Sequence, residues 1–180
     1  DGATDIGAAI VDADLFIIDD GAGGTNRKTA ASRIATYIGT DSDKSVRVYD
    51  GSTQSISNNS RTAVAFDTES YDTETMHDTS TNNERLIAKT AGKYLMTASI
   101  GFSANATGER EAWINHSADG DIAGASRAGE GDRTNYVAVS TVYDMAADEY
   151  VVLQVYQNSG GSLNVNNGVW HHFSLTKISG

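Results

Sequence analysis

At 180 residues, 39% of them hydrophobic, the chain is long enough for one ordinary domain plus an appendage and apolar enough to exclude wholesale disorder. A net charge of −11 excludes nucleic acid as a partner, because phosphate binding needs clustered Lys and Arg. The chain has no cysteine, so disulfides and thiolate metal sites are excluded, and no proline, so no prolyl isomerisation slows its folding.

Gly, Ser, Thr, Asn and Asp are abundant and long helical runs are scarce, which favours an all-β body with many turns. No apolar run approaches the roughly 20 residues that cross a bilayer, and no signal peptide is visible, so membrane insertion is not expected. The chain starts at Asp1 rather than methionine, and the expectation is a processed or partial piece of a longer product.

The first 40 residues read as a small attachment module. Leu15 to Ile18 form an apolar strand in which Leu15 and Ile17 point one way and Phe16 and Ile18 the other, so both faces call for cover. A glycine turn follows. The spacing of Ala30, Ile34, Tyr37 and Ile38 then predicts an amphipathic helix from about Lys28 to Ile38, capped by Thr25 or Asn26 and ended by Gly39. One helix covers one side of a strand, so Leu15, Phe16, Ile17, Ile18, Ile34 and Tyr37 are the expected docking residues.

Residues 41–60 are polar and read as a connector with one short strand candidate, Val46 to Tyr49. From residue 61 to 180, strand candidates recur at the spacing of a sandwich or barrel. They are Thr62–Phe66, Arg85–Lys89, Lys93–Phe102, Glu111–His116, Asp121–Ser126, Asn135–Tyr143, Glu149–Gln157 and Val169–Ile178. In one of these, Tyr94, Met96, Ala98, Ile100 and Phe102 share a face opposite Thr97 and Ser99. In another, Val151, Leu153 and Val155 face one way, and Tyr150, Val152, Gln154 and Tyr156 the other. The second set is apolar and aromatic enough to meet another subunit, so Tyr150, Tyr156, Trp170 and His172 are the expected interface residues. About eight to ten antiparallel strands in two sheets is a jelly-roll count.

Ala91-Gly92-Lys93-Tyr94-Leu95, opening a long strand, resembles the G-x-Y strand of the complement-globular-head and tumour-necrosis-factor-like jelly rolls. Val64-Ala65-Phe66, Tyr71-Asp72-Thr73, the acidic turn 144–148 and the closing aromatic strand 170–175 fall in the matching order. The chain lacks the family's proline before that glycine and carries Asp148-Glu149 where Gly-Asp is frequent. Residues 11–39 resemble a segment common in tail-fibre and other virion proteins of bacteriophages, where it occurs in chains ending in a receptor-binding or trimeric β domain. Together the resemblances imply a phage virion appendage with a trimeric jelly-roll knob, made in the bacterial cytoplasm and carried on the particle.

Other motifs carry less chemistry. In the glycine loop at 21–29, Arg27 stands where a phosphate-binding loop needs glycine before its lysine, and no α/β domain follows. His77, His116, His171 and His172 lack metal spacing, and the last two, adjacent on a strand, face opposite sides. Gly124 to Gly129 is one residue too long for a nucleophile elbow. Asp119-Gly120-Asp121 and Asp41-Ser42-Asp43 start like calcium loops without the distal glutamate. Asn105-Ala106-Thr107 and Asn115-His116-Ser117 have the form of glycosylation sequons, irrelevant to a protein made in bacteria.

The expectation is therefore a non-enzymatic, cofactor-free homotrimer. Residues 1–40 would bind other virion proteins, and loops 103–110, 117–134 and 158–168 would meet a host-surface glycan or protein. Alternatives are a capsid decoration or head-fibre protein with a purely structural role, and a secreted carbohydrate-binding module.

Overall fold

The computed structural model describes residues 9–19, 26–34 and 44–179. The chain divides into two compact units, Asp1–Ser42 and Asp43–Gly180.

In the first unit, β1 (Leu15–Asp19) pairs antiparallel with β2 (Asn26–Ala30), with Leu15 opposite Ala30 and Ile17 opposite Lys28. The expected helix from Lys28 is thereby corrected: residues 28–30 are strand, and only 31–34 are helical among the described residues. Asn26 begins the second strand instead of capping a helix. A β1 chain with unpaired backbone amides and carbonyls gains more from a paired second strand than from a helix that satisfies only itself. Thr25, Tyr37, Ile38 and Gly39 lie outside the described residues.

The second unit is an antiparallel sandwich. Its strands are β3 (Ser45–Tyr49), β4 (Gln54–Ile56), β5 (Thr62–Ala63), β6 (Thr68–Asp72), β7 (Arg85–Ile87), β8 (Gly92–Phe102), β9 (Glu109–His116), β10 (Gly120–Ala128), β11 (Asn135–Met145), β12 (Tyr150–Gln157), β13 (Leu163–Val165) and β14 (His172–Ser179). One sheet has five strands in the order β10-β9-β12-β5, with β7 also on β12. The other has seven in the order β4-β13-β8-β14-β3-β6, with β11 also on β8. This is the expected all-β, antiparallel jelly roll.

The connector reading of 41–60 is corrected as well, because β3 and β4 both belong to the seven-stranded sheet. Val46 and Val48 face inward and are fully buried, while Arg47 and Tyr49 alternate outward. The segment looks polar because only three of its positions, Val46, Val48 and Ile56, bring apolar side chains to the core. The recognition loop expected at 117–134 also gives way: β10 runs through it, leaving loops only on either side.

The core lies between the sheets. Tyr94, Met96, Ala98, Ile100 and Phe102 of β8 meet Val151, Leu153 and Val155 of β12, and all are buried. Phe173 of β14 packs against Phe66 with ring centroids 6.2 Å apart. Each such side chain contributes about 1.5–3 kcal/mol by leaving water. Gly92 opens β8 at φ 148, a backbone region open to glycine, and Tyr94 two residues on donates its hydroxyl to the Thr90 carbonyl at 2.7 Å.

Candidate functional site

Strand alternation that buries one side of β8, β11 and β14 presents their other side outward. Cross-strand pairing aligns the outward residues in rows. Tyr49, His172, Ser99 and Ala138 form one row, and Arg47, Ser174, Thr97 and Ser140 the next. Thr176, Leu95 and Val142 form a third. A shallow depression of about 300 Å³ lies between β8 and β11, lined by Thr97, Ser99, Ala138, Ser140 and His172. Across these rows Arg47 is the one charged residue, and its guanidinium donates to the Ser70 hydroxyl and the Val169 carbonyl. Thr97 and Ser174 bridge their hydroxyls at 2.7 Å. Leu95, Tyr136 and Val142 stand exposed around this face. A flat patch of small uncharged and apolar side chains can pack closely against another protein surface without burying unpaired charge.

The outward face of the five-stranded sheet is finished differently. Arg61 donates both guanidinium ends to Asp121 at 2.8 and 2.6 Å while lying 4.1 Å from the Trp113 ring centre. That arginine is the first cause of a pKa for Asp121 below the ordinary 3.8. Across from Trp113, Gly124 leaves room for the ring, since a Cβ there would come within 2.5 Å of Trp113 Cδ1. Arg85 lies 4.4 Å over the Tyr150 ring, and Tyr156 donates its hydroxyl to Asn59 at 3.0 Å.

The sequence-derived interface residues do not form one patch. Tyr150 and Tyr156 share the outward face of β12, His172 belongs to the opposite sheet, and Trp170, 76% exposed, lies just before β14. Of the docking residues, Leu15 and Ile17 are exposed, at 61% and 69%, Ile18 is also exposed, and Phe16 and Ile34 are half-buried.

The histidines are pinned by neighbours. His171 is buried beside the outward end of β8, accepts from the Gly101 amide at 2.9 Å and stacks on Tyr136 at 5.5 Å. Burial pushes its pKa below the usual 6.5, with Asp50 pulling partly back. His172 is lowered from 6.5 by burial and by Arg47, and its Nδ1 is enclosed without a partner. His116 lies between Glu149 and Asp119, at 3.2 and 3.1 Å, and His77 between Glu69 and the Asn83 carbonyl, at 2.9 and 3.1 Å. Among the described residues no three metal-ligating side chains converge.

Loops at one end of the sandwich are tied to each other. Arg110, fully buried, donates to the carbonyls of Asn105, Thr107 and Glu109. Asn135 binds the carbonyls of Ser103, Glu130 and Arg133. Sequence reasoning missed Arg110 as an organiser; an arginine at an inward position of an alternating strand was the available signal.

With the fold and its faces in hand, solved structures supply a comparison. The chain is similar to murine APRIL, with a TM-score of 0.58 at 9% identity, over 76% of this chain and 99% of that one. It is also similar to Eiger TNF from S. frugiperda, with a TM-score of 0.57 at 12% identity, over 76% and 93% of the two chains. The chain therefore has the jelly-roll fold of tumour-necrosis-factor-like proteins. No family model and no curated protein sequence matches it.

Proposed function

We propose that this chain is a non-enzymatic appendage protein of a bacteriophage virion: a homotrimeric jelly-roll knob for host-surface recognition, attached to other virion proteins through residues 1–40. The virion assignment rests on the resemblance of residues 11–39 to phage tail-fibre segments and on the exposed apolar Leu15 and Ile17. Self-association rests on one observation above the others. In a chain of net charge −11, the three outward rows through Ser99, Thr97 and Leu95 carry no acidic side chain, and the row beyond them pairs Asp144 with Lys93. Like-charged copies can meet only where charge has been cleared, and close packing of Thr97, Ser99, Ala138 and Ser140 leaves no buried ion unpaired.

Light scattering on the eluted peak of a sizing column tests the trimer, with three times the 19.0 kDa chain mass as the expected result. A monomer at micromolar concentration would refute it. Mass spectrometry of purified particles tests the virion assignment, and adsorption of the purified knob to host cells tests recognition.

A further inference from the structure

A cleft of about 460 Å³ opens beside β7 and the start of β12, away from the uncharged face. Its size falls in the ~300–1,000 Å³ range of small-ligand pockets. Arg85, Ile87 and Lys89 reach it from alternate positions, because Leu86 and Ala88 between them are buried. Ile87 supplies an apolar floor opposite Tyr150, whose ring lies under the Arg85 guanidinium. The 75–82 loop forms the wall, held to the sheet edge by the Ile87 amide donating to the Met76 carbonyl at 2.8 Å.

Two features mark the cleft as a ligand site. Of the four non-glycine residues at positive φ in the described chain, three line it: Thr75 at 55°, Asn82 at 50° and Asp148 at 67°. Asn and Asp tolerate that conformation, but for a β-branched threonine it is a strained outlier, and such strain gathers at ligand clamps. The second feature is unused positive charge. Arg47, Arg61, Arg110, Arg127 and Arg133 all place terminal or ε nitrogens on protein acceptors. Arg85 binds Glu84 through Nε and lays its guanidinium over the Tyr150 ring, but its terminal amino groups carry no hydrogen bond, and Lys89 has no ion pair among the described residues.

We propose that this cleft binds a carboxylate-bearing sugar of the hexuronic acid type. The carboxylate meets Arg85 and Lys89, a charge-assisted fork that arginine is shaped to provide. The sugar's apolar face lies on Ile87, beside the Tyr150 ring that Arg85 covers. Its hydroxyls donate to the Asp148 carboxylate and bond Asn82. Asp78 lines the cleft too, but its Oδ1 is engaged by Ser80 and Thr81 of its own loop. A doubly charged phosphate would be repelled by Asp78 and Asp148, whereas one carboxylate among hydroxyls satisfies both signs of charge.

The assignment deepens the recognition reading and rests on it. The test is an amide-resonance titration of the full chain with methyl β-D-glucuronide, methyl β-D-glucoside and sodium phosphate. Glucuronide is expected to shift resonances around Asn82, Ile87 and Tyr150, glucoside far less, and phosphate not at all. Arg85→Gln and Lys89→Gln should each weaken glucuronide binding about tenfold, and Lys89→Gln, at an exposed position with no ion pair among the described residues, should leave the unfolding temperature unchanged. No shift at those residues, equal shifts with glucoside or phosphate, or unchanged affinity in both variants would overturn the proposal. Cell adsorption separates the two readings: a knob that adsorbs equally with and without Lys89→Gln keeps recognition and loses this site. A knob that binds glucuronide but adsorbs to no cell keeps the site and loses recognition.

Discussion

The two outward faces of the sandwich start from the same strand alternation and end differently. On the seven-stranded sheet, the middle outward positions of β8, β11 and β14 are threonine, serine, alanine and His172, with leucine and valine in the adjoining row. On the five-stranded sheet the outward positions hold large aromatics, two of them covered by an arginine, Arg61 over Trp113 and Arg85 over Tyr150, and the third, Tyr156, bonded to Asn59. A cation over an aromatic ring gives that ring a partner from its own chain and keeps the surface charged and hydrated. A row of small uncharged residues leaves its partner to be supplied from outside. The contrast shows that the same fold can complete one face within the chain and leave the other open.

The largest test of that contrast is to put charge on each face in turn. Thr97→Arg together with Ser140→Arg should convert the proposed trimer to monomer, read as molar mass by light scattering. Gln154→Arg on the opposite face should leave the mass unchanged. Loss of the trimer with Gln154→Arg alone would reverse the roles of the two faces.

Next come the glycines that admit a ring on each side. A Cβ on Gly101 would come within 2.5 Å of His171 Cε1 and 2.7 Å of Thr134 Cγ2, on the outward side of the seven-stranded sheet where His171 covers β8. Gly101→Ala should therefore cost about 1–3 kcal/mol in urea unfolding, the usual cost of overpacking a buried site.

A pH series separates the faces without mutation. His171 and His172 have folded pKa values below 6.5, so the unfolded chain takes up their protons first. Stability from this side should fall as pH drops below 6.5, and His171→Gln should flatten that limb. Asp121 on the other face is depressed below 3.8 by Arg61, so its contribution persists at mild acid and is lost only as pH falls below 3.8. Thermal unfolding between pH 7 and pH 3, with Asp121→Asn for the second limb, checks both windows.

The smallest effect belongs to the exposed clasp. Arg61→Ala should cost about 0.5–1 kcal/mol, typical of an exposed cation–π contact. Gly124→Ala, which pushes the Trp113 ring away, should add little on top of it, because both changes break the same contact. Full additivity in urea unfolding would mean the ring and the guanidinium are not coupled.

Much of the sandwich was legible in its residues. The alternation in β8 and β12 gave strands and inward faces directly, because burial on one side of a pleat leaves a period of two. Gly92 and Tyr94 were legible as a unit, since a positive-φ strand opening followed by an inward aromatic leaves a short fixed spacing. β3 and β4 were hidden because each offers only one or two residues to the core and is otherwise polar. The helix expected from Lys28 starts later, because residues 28–30 are strand and 31–34 helical, and positions 30 and 34 fit a helix as well as a strand running into a helical turn; residues 35–38 lie outside the described residues.

What the sequence alone determined, then, was the composition of each strand and which of its sides must be dry, because hydrophobic burial acts residue by residue. Which strands became neighbours was decided only in the tertiary structure. Hydrogen-bonded register, not sequence distance, puts Thr97 beside Ser140 and Ser174, and Arg61 over Trp113. Those neighbours make one face uncharged and the other clasped. The cleft at Lys89 is likewise a product of register, since a strand edge and a loop met there.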